Sequence, residues 1–149
     1  MGVKSIPDGY HSVTPALIVD GAADIISFAE RVFDAEVLTK IDGPDGVVQH
    51  AEVKIGDSII FIANPMSGST AAPAWLYVYV DDVDSVYRKA IDAGAISLEE
   101  PADKFYGDRT AALKDKAGNH WGIAKHVEDV TPEEMDKRIE AFNKQAQEN

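Results

Sequence analysis

The chain carries one series of motifs twice. Thr14-Pro15-Ala16-Leu17-Ile18-Val19-Asp20 precedes a run with apolar Ile25, Phe28, Ala29, Val32 and Phe33. Trp75-Leu76-Tyr77-Val78-Tyr79-Val80-Asp81 precedes Val83, Val86, Tyr87, Ala90 and Ile91. Both apolar sets follow the i, i+3, i+4, i+7, i+8 spacing of an amphipathic helix. Further on, Gly56-Asp57-Ser58-Ile59-Ile60-Phe61-Ile62-Ala63 is answered by Gly118-Asn119-His120-Trp121-Gly122-Ile123-Ala124. Val80 stands 61 positions after Val19, Ile91 58 after Phe33, and Ala124 61 after Ala63. A nearly constant offset over whole motifs marks a duplicated unit. Function is then to be sought where the two copies face each other.

Turn chemistry divides each copy. The pattern predicts a strand over 13–19, a helix over 22–33 capped by Asp20, and strands near 35–41, 47–55 and 58–63. Asp42-Gly43-Pro44-Asp45-Gly46 and Gly56-Asp57 join the last three. The second copy predicts a strand over 75–80, a helix over 82–93 ended by Gly94, and strands near 96–99, 108–114 and 119–126. Its long connection, Glu100 to Gly107, carries Phe105 and Tyr106. The fold class expected is α+β: tandem βαβββ modules forming a curved mixed sheet around a pocket, plus a C-terminal helix. Residues 1–149 read as a single domain, with module one at 13–63, a small-residue linker at 64–74, module two at 75–126 and the helix at 131–147. Residues 1–12 read as a loose lead-in. Thr131-Pro132-Glu133-Glu134 is a capping box, and Met135, Ile139 and Phe142 form a narrow apolar stripe that docks on the body or on a second subunit.

Composition narrows the function classes. A length of 149 residues suits one compact domain. The apolar runs are too short to span a membrane, and no basic start followed by a long apolar stretch marks a secretory signal. With no cysteine, disulfides and thiol catalysis are excluded, and a cytoplasmic location is expected. A net charge of −12 with no basic stripe argues against a nucleic-acid partner.

Strand alternation sorts side chains by face. Leu76, Val78 and Val80 form one face of their strand, opposite Trp75, Tyr77 and Tyr79. The repeat mates are Pro15, Leu17 and Val19 against Thr14, Ala16 and Ile18. His50 and Glu52 share a face, and so do His120, Gly122, Ala124 and His126. The aliphatic faces are expected to pack on each module's own helix. The other faces, with Trp75, Tyr77, Tyr79, His50, Glu52 and His120, line whatever space the two modules enclose. That aromatic surface is either the wall of a small-molecule pocket or the filling of a dry core.

The tandem pair, with Val-Asp before each helix and Gly118-Asn119-His120-Trp121 opening the last strand, resembles the vicinal oxygen chelate superfamily of glyoxalase I, bleomycin-resistance proteins and extradiol dioxygenases. More narrowly, it is similar to the PhnB-like branch. His11-Ser12-Val13-Thr14-Pro15, His50-Ala51-Glu52-Val53, Phe105-Tyr106-Gly107-Asp108-Arg109 and His126-Val127-Glu128-Asp129 carry that similarity. Asp34 departs from it, standing where the family usually has glycine after the first helix. The resemblance implies four metal-ligand positions, which fall on Thr14, Phe61, Trp75 and Gly122; the pairs Thr14/Trp75 and Phe61/Gly122 each keep the 61-residue offset. A hydroxyl, two aromatic rings and a hydrogen cannot replace nitrogen and carboxylate ligands. No metal and no other cofactor is therefore expected.

Two readings stay open. One is a metal-free binder of a small, aromatic ligand, held by Thr14, Phe61, Trp75, Tyr77, Tyr79, Tyr106 and His120. The other is a lyase, isomerase or dioxygenase using a relocated metal or a His50–Glu52 acid–base pair, with Arg109 holding an anionic group and Tyr77 and Tyr106 as donors. The resemblance also implies a homodimer.

Overall fold

A computed structural model describes residues 2–149. Module one contains β1 (Ala16–Ile18), α1 (Ala22–Phe33), β2 (Glu36–Asp42), β3 (Val48–Ile55) and β4 (Ser58–Ala63). Module two contains β5 (Trp75–Tyr79), α2 (Val83–Asp92), β6 (Ile96–Asp103), β7 (Asp108–Lys114) and β8 (His120–His126), and α3 (Pro132–Glu148) follows. The strands make two four-stranded mixed sheets, ordered β1-β4-β3-β2 and β5-β8-β7-β6.

The duplication extends to the hydrogen-bond register. Ala16 pairs with Phe61 and Ile18 with Ala63; in the other sheet Tyr77 pairs with Gly122 and Tyr79 with Ala124. All four positions move by the 61 residues that separate the motifs. Even an irregularity is copied, since the register shifts between Val37 and Thr39 in β2 and between Ser97 and Glu99 in β6.

The helix-facing sides of both sheets fuse into one core. Leu17, Ile25, Val32, Val53 and Ile62 of module one join Val83, Ala90, Leu113, Trp121 and Ile123 of module two in a single buried cluster. Trp121 is its keystone: its ring centroid lies 5.8 Å from that of Phe28 and 5.1 Å from that of Phe33. Its indole N–H would be costly to bury unpaired. It donates to Asp115 Oδ2 at 2.7 Å, and Asp115 also accepts from the Asn119 side chain and two backbone N–H groups.

Several local expectations are corrected. Asp20 does not cap α1; Gly21 holds the N-cap in a left-handed conformation without a side-chain bond, whereas Asp82 caps α2 by accepting from Ser85 N at 3.1 Å. β1 begins only at Ala16, because Pro15 has no N–H for the ladder. β6 runs on to Asp103, so the connection to β7 is shorter than expected; Pro101 is tolerated because β6 is an edge strand. Asp34 adopts the left-handed conformation its position requires, with φ of 53°.

Residues 2–9 are exposed and without helix or strand, as a lead-in should be, but Tyr10 lies against Phe61 and the chain at Gly9 passes over Ile59. At the other end Thr131 caps α3, and Phe142 packs on Phe105 with centroids 4.9 Å apart. Arg138 donates to the Phe105 carbonyl at 2.9 Å and pairs with Glu128 and Glu134, fixing α3 behind the β6–β7 loop.

Candidate functional site

The faces turned away from the core are where the modules diverge. On module two, alternation along β5 sends Leu76 and Val78 inward and leaves Trp75, Tyr77 and Tyr79 exposed at 81%, 50% and 64%. The Trp75 indole stacks on the His120 imidazole, with centroids 4.2 Å apart and planes 12° from parallel. The pair shuts His120 Nδ1 off from solvent, and among the described residues this atom has no hydrogen-bond partner. Beside them lies a cavity of about 400 Å³, bounded by Trp75, Tyr77, Leu98, Glu99, Tyr106, Thr110, His120 and Gly122. Tyr106 reaches it from the loop that Phe105 and Gly107 pin; a Cβ on Gly107 would collide with the Glu128 carbonyl.

Gly122 explains the position of Tyr77. A Cβ there would come within 2.8 Å of Tyr77 Cδ2, so only glycine lets this ring lie across β8. The Tyr77 hydroxyl then donates to Asp108 Oδ2 at 3.0 Å, and the Tyr79 hydroxyl lies 3.5 Å from the same atom. Asp108, only 7% exposed, takes His126 Nδ1 on its other oxygen at 2.9 Å. His126 Nε2 is 2.7 Å from Asp129 Oδ1. Both partners of the imidazole are carboxylates, which can only accept, so the pair favours the doubly protonated ring. The bonds to Asp129 and then Asp108 raise its pKa above the ordinary 6.5. Burial, followed by the bond to Asp108, pushes the Tyr77 phenol well above its usual range, so it stays protonated.

On module one the corresponding face is bordered by the chain's own N-terminal segment. Tyr10, Thr14, Glu52 and Phe61 border a separate, wider cavity of about 540 Å³ with Ser5, Pro7 and His11. His50 packs edge-on against Phe61, and its Nε2 is 3.6 Å from Glu52 Oε1. The neighbouring polar groups of Tyr10 first, then Thr39 and His50, hold the Glu52 carboxyl below the ordinary range despite partial burial.

Not all candidates converge. Trp75, Tyr77, Tyr106 and His120 line one cavity, Thr14 and Phe61 line the other with Glu52, and Tyr79 stands at the rim of module two's face. A smaller cavity of about 260 Å³ does lie between the modules, bounded by Pro15, Ile55 and Ile60 of one and by Leu76, Tyr77 and Tyr79 of the other. The fused core turns the helix sides of both sheets inward. Arg109 is on the wrong side for an anion clamp. It alternates with Asp108 along β7, and its guanidinium holds Asp84 through two bonds of 2.8 Å and Asp103 at 3.1 Å. Asp108 therefore pairs with His126 and the tyrosine rather than with Arg109. Among the described residues no three His, Asp or Glu side chains converge as a metal cage.

Sequence reasoning missed Asp108, Thr110 and Leu98 in this site, and Tyr10 in the other. The alternation of Asp108, Thr110 and Ala112 with Arg109, Ala111 and Leu113 was the available signal for β7. Nothing in the Pro- and Gly-containing start of the chain marks Tyr10.

Comparison with known proteins accords with this architecture. Residues 10–123 match the family described as the Glyoxalase/Bleomycin resistance protein/Dioxygenase superfamily. Protein Mb0911c of Mycobacterium bovis is 30% identical over 135 residues, covering 83% of this chain and 89% of the relative. Among solved structures, TioX from Micromonospora sp. ML1 is similar at a TM-score of 0.63 and 21% identity, over 81% of this chain and all (100%) of TioX. The PhnB protein of Bacillus cereus superimposes at 0.56 with 17% identity, over 77% and 99% of the two chains. These two likenesses show a shared fold.

Proposed function

Because this chain belongs to the glyoxalase/bleomycin resistance protein/dioxygenase superfamily, we propose that it binds a small planar aromatic molecule in the cavity of module two. The observation that carries this reading is the cavity itself. Its volume of about 400 Å³ falls in the range of small-molecule sites, its walls are largely aromatic, and Tyr77 among its few polar groups is fixed by Asp108. Trp75 and His120 offer a stacking platform, Tyr77 and Tyr106 side walls, and Tyr79 a rim. The face of module one, with Thr14 and Phe61, is bordered by the N-terminal segment and holds a wider, less aromatic cavity.

The binding needs no metal in this reading. The family's four ligand positions hold Thr14, Phe61, Trp75 and Gly122, and Tyr77 lies across Gly122, the last of them. Catalysis by a His50–Glu52 pair is less well supported, because a carboxylate held below its ordinary pKa is a weak base. The two modules work as one domain through their common core, in a cysteine-free chain suited to the cytoplasm. No helix among the described residues is long and apolar enough to cross a membrane. We also place the chain in a homodimer, since a second copy lying on module two would cover rings that are left bare in one chain.

A thermal-shift screen with planar aromatic compounds tests the reading. Stabilisation by mass action is expected in the native protein and is lost in Trp75→Ala. A stoichiometric transition metal in the purified protein contradicts metal-free binding, and sedimentation of a monomer alone contradicts the dimer.

A further inference from the structure

We propose that the ligand of the module-two cavity donates a hydrogen bond to the Tyr77 oxygen and carries no negative charge. This rests on the reading of that cavity as the binding site and goes beyond it by naming the ligand's chemistry. A hydroxyl can both donate and accept, so Tyr77 alone would accept either kind of ligand group. Its environment removes the choice. The Asp108 carboxylate can only accept, sits 3.0 Å from the hydroxyl, and is held from its other side by His126 Nδ1 at 2.9 Å. The Tyr77 proton is therefore committed to Asp108, and only lone pairs remain to face the ligand.

Charge points the same way. No lysine or arginine lines the cavity; its one carboxylate is Glu99, whose ion pair with Lys104 keeps that ammonium engaged. Apart from the His120 imidazole, an anionic ligand would find no cationic side chain in a partly desolvated space that Glu99 borders, on a chain of net charge −12. The device also belongs to module two alone. At the repeat positions of Tyr77, Asp108 and His126, module one has Ala16, Val48 and Pro65, none of which could build it.

Three naphthalenes of nearly one shape separate the possibilities: 2-naphthamide donates, methyl 2-naphthoate only accepts, and 2-naphthoate is an anion. Calorimetric titration of the full chain is expected to rank the amide first, roughly five-fold tighter than the ester, as one hydrogen bond allows, with the anion weakest. Tyr77→Phe keeps the ring over Gly122 and is expected to bring the amide down to the ester's level. An ester as tight as the amide, an anion that binds best, or a preference that survives in Tyr77→Phe overturns the inference while leaving the binding reading standing. No heat from any probe overturns both.

Discussion

The two modules have the same backbone and opposite surfaces. Register, helix placement and even the edge-strand irregularity repeat between β1–β4 and β5–β8. On the buried side the repeat holds in chemistry as well, with Leu17 answered by Val78 and Ile60 by Trp121 in one core. On the open side it fails at every informative position. Thr14, Glu52 and Phe61 border Tyr10 and the N-terminal segment; Trp75, Tyr77 and Gly122 form an open wall that Asp108 and His126 brace. Packing constrains the inward residues of both copies alike, because a cavity or an overpacked side chain costs stability in either. The outward residues carry no such constraint, so that is where two copies are free to take different roles.

The largest effect is expected where the modules are least separable. Trp121→Ala removes a ring wedged between Phe28 and Phe33 and leaves Asp115 short of a donor. It should cost about 3–5 kcal/mol and lower a single melting transition seen by calorimetry. If α1 and its sheet kept their own transition at the native temperature, the modules would be independent and the common core wrong. A smaller effect is expected at the N-terminal segment. Tyr10→Phe should lower stability slightly by removing the hydroxyl that helps hold the Glu52 carboxyl below its ordinary range, measured by urea denaturation, with no change in ligand binding at module two.

The smallest effects separate the faces by pH. The Asp129 and Asp108 bonds raise the pKa of His126, so its contribution to stability is fully present below the ordinary 6.5 and fades as pH rises through the raised value. Glu52 is lowered, chiefly by the Tyr10 hydroxyl nearby, so its contribution is present above the ordinary 4.5 and fades as pH falls through the lowered value. In pH-resolved melting curves, His126→Gln should therefore converge on the native protein in alkali, and Glu52→Gln in acid. Convergence at the same end for both would mean that the two faces are not electrostatically distinct.

Much of this was legible in the residues. The apolar spacing in 22–33 matched the bounds of α1, which buries Ile25, Phe28, Ala29 and Val32 together with Ala22 and Ile26 and leaves Phe33 partly buried. The offset located the paired strands because a duplicated ladder must keep its register. Alternation put Trp75, Tyr77, Tyr79 and His120 on one face. What alternation cannot supply is the packing of one sheet against the other. The inward turn of both helix sides follows from Trp121 fitting between Phe28 and Phe33, a contact made across the modules. Arg109 was misread for a similar reason: its neighbour in sequence, Asp108, lies on the other side of β7, and its partner Asp84 comes from α2. Tyr10 escaped because one aromatic in a turn-rich segment has no period.

The central claim is that module two alone holds the ligand. It is tested most directly by removing one ring from each open face, Trp75→Leu and Phe61→Leu, and titrating both variants with 2-naphthamide by calorimetry. Ring stacking is worth roughly 0.5–1.5 kcal/mol, so Trp75→Leu should weaken binding by about two- to ten-fold while Phe61→Leu binds as the native protein does. Equal weakening by both, or a loss confined to Phe61→Leu, would contradict it.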